Sequence, residues 1–188
     1  MRHVAILTEA RSSYGYLRPI AKLIEADPEL DYSLIVTNQH LLPDFGYSVE
    51  EIEQDRLNIT DRIYMTLDGY TPATMVKSLG VLLLGVTDAF VRLRPDLVLV
   101  LGDRGDSLMA ALAAAHMNIP VAHIQAGERS GNIDGLTRHA ITRFAHIHFA
   151  SGPDAAERLR LMGEEEWRIQ MLGAPQLDEF VRGEVAPP

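Results

Sequence analysis

The chain contains no cysteine. That excludes a disulfide framework and any thiolate metal centre. Long apolar runs are also missing. The longest, over 79–86, falls far short of the about 20 residues that a bilayer-crossing helix needs. The opening run Val4-Ala5-Ile6-Leu7 is too short for the core of a signal peptide and reads as a first strand. A cytoplasmic protein with no membrane partner is expected. No internal repeat or low-complexity tract interrupts the chain. Excess positive charge is absent too: the formal net charge is −9. Nucleic-acid binding rests on neutralising phosphates with lysine and arginine, so no nucleic-acid partner is expected. A small anion held by a few arginines and a helix N-terminus remains compatible with that charge. What is present is apolar residue in quantity, 47% of 188 residues. That suffices for one domain with a sizeable core and argues against disorder.

Short apolar runs alternate with amphipathic segments. The pattern predicts strands over 4–8, 32–37, 62–65, 97–101, 121–124, 147–150 and 168–171. It predicts helices over 14–26, 49–54, 72–93, 107–116, 135–145 and 154–162, with a short one over 176–181. Pro28, Pro95 and Pro120 fall at the breaks, and Ser151-Gly152-Pro153-Asp154 reads as a helix start. Such alternation predicts an α/β fold, a doubly wound parallel sheet of about seven strands with helices on both faces. Residues 1–172 form the expected domain, and 173–188 read as a crossover segment and linker, as though the chain were one half of something larger.

Two of the apolar runs end in polar, glycine-containing loops. Leu97 to Leu101 breaks into Gly102-Asp103-Arg104-Gly105-Asp106, and Val121 to Ile124 into Gln125-Ala126-Gly127-Glu128-Arg129 and on to Asp134. Ligands bind at the carboxyl ends of parallel strands, so these loops are the expected site. Asp103 sits at a strand tip, and Arg104 beside it suits a phosphate. Asp106 reads as the cap of the following helix. Asp134 stands at a helix start, either as its cap or as a catalytic carboxylate. The first junction, Thr8-Glu9-Ala10-Arg11-Ser12-Ser13, lacks the G-x-G-x-x-G dinucleotide fingerprint but suits an anion at a helix N-terminus. His40 follows the second strand, where a ligand contact is reasonable. His139, His146 and His148 read as packed or hydrogen-bonded residues; no metal is expected, since a metal needs several convergent ligands. Met75, Met109 and Met117 read as core.

These blocks together resemble the hydrolysing UDP-N-acetylglucosamine 2-epimerases of the sialic-acid pathway type. The strongest matches are Leu93-x-Pro95-Asp96, Gly102-Asp103-Arg104-x-Asp106, His123-Ile124-x-x-Gly127-Glu128, Gly131-x-x-Asp134, and Arg138-His139-Ala140-Ile141-Thr142. The resemblance implies a GT-B-type architecture of two Rossmann-like domains, of which this chain matches the N-terminal one. It implies a homodimer that needs no cofactor and an isolated chain that is inactive without its C-terminal domain. The implied reaction eliminates UDP, adds water and inverts carbon 2 to give N-acetylmannosamine. By matching position, Asp103 and Asp134 correspond to catalytic carboxylates. Arg11 and Arg104 correspond to diphosphate contacts, and His40, Glu128 and Arg138 to further substrate-binding positions. Gln125 stands where many members carry Glu. Glutamine cannot act as a base, though it can orient water or hold a substrate oxygen. A glycosyltransferase of the same architecture is the alternative enzyme. A non-catalytic domain that pairs with a separate second half is the alternative outside catalysis.

Overall fold

The computed structural model describes residues 1–183. Among the described residues the elements alternate as β1 (Arg2–Thr8), α1 (Arg11–Glu25), β2 (Leu30–Thr37), α2 (Val49–Gln54), β3 (Ile59–Ile63), α3 (Pro72–Leu93) and β4 (Leu97–Leu101). They continue with α4 (Gly105–His116), β5 (Val121–Ile124), α5 (Ile133–Phe144), β6 (Ile147–Ala150), α6 (Pro153–Leu161), β7 (Ile169–Met171) and α7 (Asp178–Val181). All neighbouring strands run parallel, in the order β3-β2-β1-β4-β5-β6-β7. The chain winds outward in one direction from β1 to β3, then returns to the centre and winds the other way from β4. The switch therefore lies between β1 and β4.

The strand sequences explain why both faces are covered. On β1, Ala5 and Leu7 enter the core shared with α3, α4 and α5, while Val4 and Ile6 enter the one shared with α1 and α2. Alternation splits one continuous apolar run between two cores, as buried parallel strands require. Each such fully buried Leu, Ile or Val contributes about 1.5–3 kcal/mol. A smaller cluster of Ala126, Ala150, Ala155, Ala156, Leu159 and Ile169 seats α6.

The third strand lies at 59–63, not over 62–65 as the sequence pattern suggested. It is the sheet edge, paired only with β2, and its burial alternates. Tyr64 is exposed and Met65 buried beyond it, so the apolar stretch Ile63-Tyr64-Met65 marks the strand exit. The helix starts also differ from expectation in detail. Asp106 and Asp134 are not caps: the capping positions are Arg104 and Asn132, and Asn132 Oδ1 accepts the Asp134 N–H at 2.9 Å. The short helix expected over 176–181 is present as a 3-10 turn, Pro175–Leu177, that packs on α1 and runs directly into α7. Of the expected linker, 184–188 lie outside the described residues.

Helix α3 has 22 residues and a mean hydropathy of 1.6 over its best window. By length and composition it could cross a membrane, although no single apolar run within it is that long. Here it is a core helix on one side, with Leu82, Val86, Ala89 and Phe90 buried. Its other side, including Val76, Leu84 and Val91, is exposed.

Gly127 fixes how closely α6 approaches the β5 loop. Its φ is +77°, and a Cβ there would overlap the Ala155 carbonyl oxygen and press on Leu159. Both the backbone and the space demand glycine. Gly127→Ala is expected to lower the unfolding free energy by about 2–4 kcal/mol, read from urea denaturation midpoints at unchanged m.

Candidate functional site

A cavity of about 640 Å³ opens at the carboxyl ends of β1, β4 and β5. That is the topological switch point, where ligands of doubly wound sheets bind. The β4–α4 turn supplies Asp103 and Arg104, the residue after β5 is Gln125, and the first turn of α5 supplies Asp134; all four line the cavity. The sequence-based site is thus brought together in its centre.

The geometry of the two central loops follows from a few contacts. Gly102 turns the chain at φ +72°, and the Gln125 side-chain oxygen lies 3.7 Å from where its Cβ would be. Gln125 itself adopts φ +59°. A non-glycine residue in that region carries about 1–2 kcal/mol of strain, and such strain gathers at functional sites. Arg138 holds both loops from α5. Its guanidinium donates to the Asp103 carboxylate, to Ser130 Oγ at 3.2 Å, and to the Gln125 carbonyl at 2.6 Å. Ser130 also donates to Asp103 at 2.6 Å. Arg138 is buried and does not line the cavity; it orients residues that do. Beneath the turn, His123 Nε2–H donates to the Gly102 carbonyl at 2.7 Å.

Three expected contacts stand elsewhere. Arg11 is 76% exposed, paired with Glu51 at 2.7 Å, and outside the cavity lining. His40 is fully buried behind the wall, with Nε2 3.0 Å from Thr8 Oγ1 and Nδ1 2.8 Å from Ser48 Oγ. It braces the β1–α1 turn through Thr8 and Ser13 and does not reach the cavity. Glu128 accepts a hydrogen bond from Ser151 in a separate cleft of about 180 Å³ at the start of α6. Met75, expected in the core, is exposed at the cavity mouth, whereas Met109 and Met117 do pack on the core. Of the expected packed histidines, His148 is buried against Glu164 at 3.1 Å, and His146 Nδ1 accepts the Val121 N–H at 3.2 Å.

Two acids on the cavity floor were not recognised from the sequence. Glu9 directly follows β1, and Asp106 lies in the first turn of α4, where Asn38 donates to it at 2.9 Å. Both are buried. Burial, then the nearby charge of Asp106, pushes the Glu9 carboxyl up to about 8, with Arg104 acting in the opposite direction. Burial also raises Asp106. The available signal was an acid placed directly after a strand of five buried residues at a sheet switch point.

A sequence-family model described as UDP-N-acetylglucosamine 2-epimerase matches residues 22–186. The chain belongs to that family. This epimerase-family chain is 41% identical, over 97% of its length, to a Legionella pneumophila protein named UDP-N,N'-diacetylbacillosamine 2-epimerase (hydrolyzing). It is 35% identical over 92% of its length to a Campylobacter jejuni GDP/UDP-N,N'-diacetylbacillosamine 2-epimerase (hydrolyzing). The chain spans about half the length of these relatives, 48% and 45%. A crystal structure of the Methanocaldococcus jannaschii UDP-GlcNAc 2-epimerase in complex with UDP-GlcNAc and UDP is similar at a TM-score of 0.79. It is 28% identical, and the likeness covers 93% of this chain and 47% of that one. The fold is therefore the Rossmann-like half of these epimerases.

The buried histidines give the epimerase domain a defined acid response. Burial lowers His40 to about 4 and His123 to about 3, below the ordinary value of 6.5. Between those values the unfolded chain binds more protons than the folded one. Stability is then complete above pH 6.5 and lost as pH falls towards 4, by about 1.4 kcal/mol per pH unit for each histidine. Urea midpoints measured from pH 7 down to pH 4.5 are expected to fall steadily, with a shallower fall in His40→Gln.

Proposed function

We propose that the intact protein is a hydrolysing UDP-sugar 2-epimerase and that this chain supplies the acid–base wall of its active site. The observation that carries the reading is the gathering of Asp103, Arg104, Gln125 and Asp134 around one cavity at the sheet switch. A 2-acetamido sugar bound there would lose its carbon-2 proton to one carboxylate. UDP departs from carbon 1 with the electron pair of its C–O bond, and a C1–C2 double bond forms. A proton returned to carbon 2 from the opposite face inverts that centre, and water adds its oxygen to carbon 1. The balance is UDP-sugar plus water to UDP plus the free 2-epimer.

Asp103 and Asp134 carry the two proton transfers. Arg104 and the N-terminus of α4 receive the negative charge of the departing diphosphate. Gln125 orients water or holds a sugar oxygen. Arg138 keeps Asp103 aimed into the cavity. The substrate is a UDP-linked diacetamido sugar ahead of UDP-N-acetylglucosamine. The two relatives at 41% and 35% identity are named for it, and an apolar wall of Leu42, Phe45, Met65, Leu67 and Met75 suits extra acetyl and methyl groups.

In the intact protein, Asp103→Asn and Asp134→Asn are each expected to lower kcat by about 100- to 10,000-fold, followed as UDP release without any acceptor sugar. Wild-type turnover in either variant would remove that residue from the mechanism. A strict need for an acceptor would favour a glycosyltransferase instead.

The same reading includes a homodimer formed through α3. Exposed Val76, Leu84 and Val91 share one face of the helix, spaced eight and seven residues apart. An antiparallel copy about a two-fold axis near Leu83 would bring Lys77 of one helix beside Asp88 of the other, so the stripe is self-complementary in charge. Leu84→Glu is expected to convert the intact protein from dimer to monomer in sedimentation velocity; an unchanged dimer excludes this face.

A further inference from the structure

Glu9 and Asp106 take no part in the reaction just described, yet both line its cavity. Glu9 is 2% exposed, and its Oε2 has no hydrogen-bond partner. Asp106 is 4% exposed and takes a hydrogen bond from Asn38. Both lie within electrostatic reach of one cation, Arg104. A diphosphate drawn to Arg104 withdraws that compensation. Two ionised carboxylates in a buried wall beneath a phosphate anion would then face strong repulsion, and a proton is the smallest thing that relieves it.

We propose that Glu9, paired with Asp106, holds a proton beneath Arg104, so that a nucleoside diphosphate enters this cavity together with a proton. The inference rests on the reading of the cavity as a sugar-nucleotide site. Glu9 is here a positioning residue: it acts through the charge of Arg104 and need not touch the sugar. With its carboxyl pushed up to about 8 by burial and by Asp106, Glu9 is about half protonated at pH 8 in the empty cavity. The charged and titratable groups around it are Asp106 from α4, Asp103 and Arg104 from the β4–α4 turn, Tyr16 from α1, and His40 from behind the β1–α1 turn. His40, lowered to about 4 by burial, is neutral at pH 8 and supplies no proton. Helix α1 presents Ser12, Ser13 and the Tyr16 side chain to the cavity.

The test titrates the intact protein with UDP by calorimetry at pH 8, in two buffers of different ionisation enthalpy. UDP is fully ionised at that pH, so any uptake belongs to the protein. The wild type is expected to take up about half a proton per UDP bound, and Glu9→Gln none. The wild-type Kd for UDP is expected to rise about tenfold per pH unit above pH 8 and to stay flat in Glu9→Gln, which keeps the side-chain shape. Wild-type binding without proton uptake, or uptake that survives Glu9→Gln, overturns this inference while leaving the proposed reaction standing. Failure of the wild type to bind UDP at all overturns the reading of the site and this inference with it.

Discussion

The guanidinium of Arg138 reaches from α5 across the end of the sheet to the Asp103 carboxylate and the Gln125 carbonyl, and the positions of both central loops depend on it. One rigid, planar fork spans donors to two chain segments that the sequence separates by more than twenty residues. The pair is largely removed from water, so replacing either partner alone leaves a charge uncompensated, which costs about 3–5 kcal/mol. Ser130 adds a third point, closing the β5–α5 loop over the same carboxylate. The loop conformations are therefore fixed before any ligand arrives. Such preorganisation is what the proposed acid–base chemistry would require.

The strain at Gln125 belongs to the same arrangement. Its left-handed backbone aims the carbonyl at Arg138 and lays the side chain along Gly102, so the cost of the conformation is offset by the contact it makes possible. His123 supports the neighbouring turn from below, and its neutral state is enforced by burial. Together these contacts separate a rigid centre, built of Asp103, Gln125 and Arg138, from an apolar mouth formed by the start of α3 and the turns after β2.

Most of the fold could be read from periodicity, because buried parallel strands announce themselves as uninterrupted apolar runs. Strand β4 matched its expected residues for that reason, and β5 and β6 matched although each carries one histidine. The edge strand β3 did not, because an edge is set by pairing with one neighbour and its own residues alternate in exposure. At the site, strand-tip position pointed to Asp103 and Arg104, a helix start to Asp134 and the family resemblance to Gln125, and all four line one cavity. It misled at Arg11, whose charge is spent on Glu51, and at His40, which the turn folds inward. Arg138 was picked out as a substrate contact, but no spacing rule tells a buried positioning arginine from an exposed binding one. Glu9 was overlooked because composition treats an acid after a strand as solvated. Only the packing of α1 and α4 around it makes it a buried acid.

The single direction of all the strands has a consequence for how such a protein changes over time. The polar groups at the cavity arrive on a few loops at the strand ends, above two cores whose packing is decided by other residues. A different side chain at 125 would change what the cavity presents without replacing a core side chain. Side chains that only line the cavity can therefore vary one loop at a time, whereas Asp103, tied to Arg138, cannot change without a cost to folding.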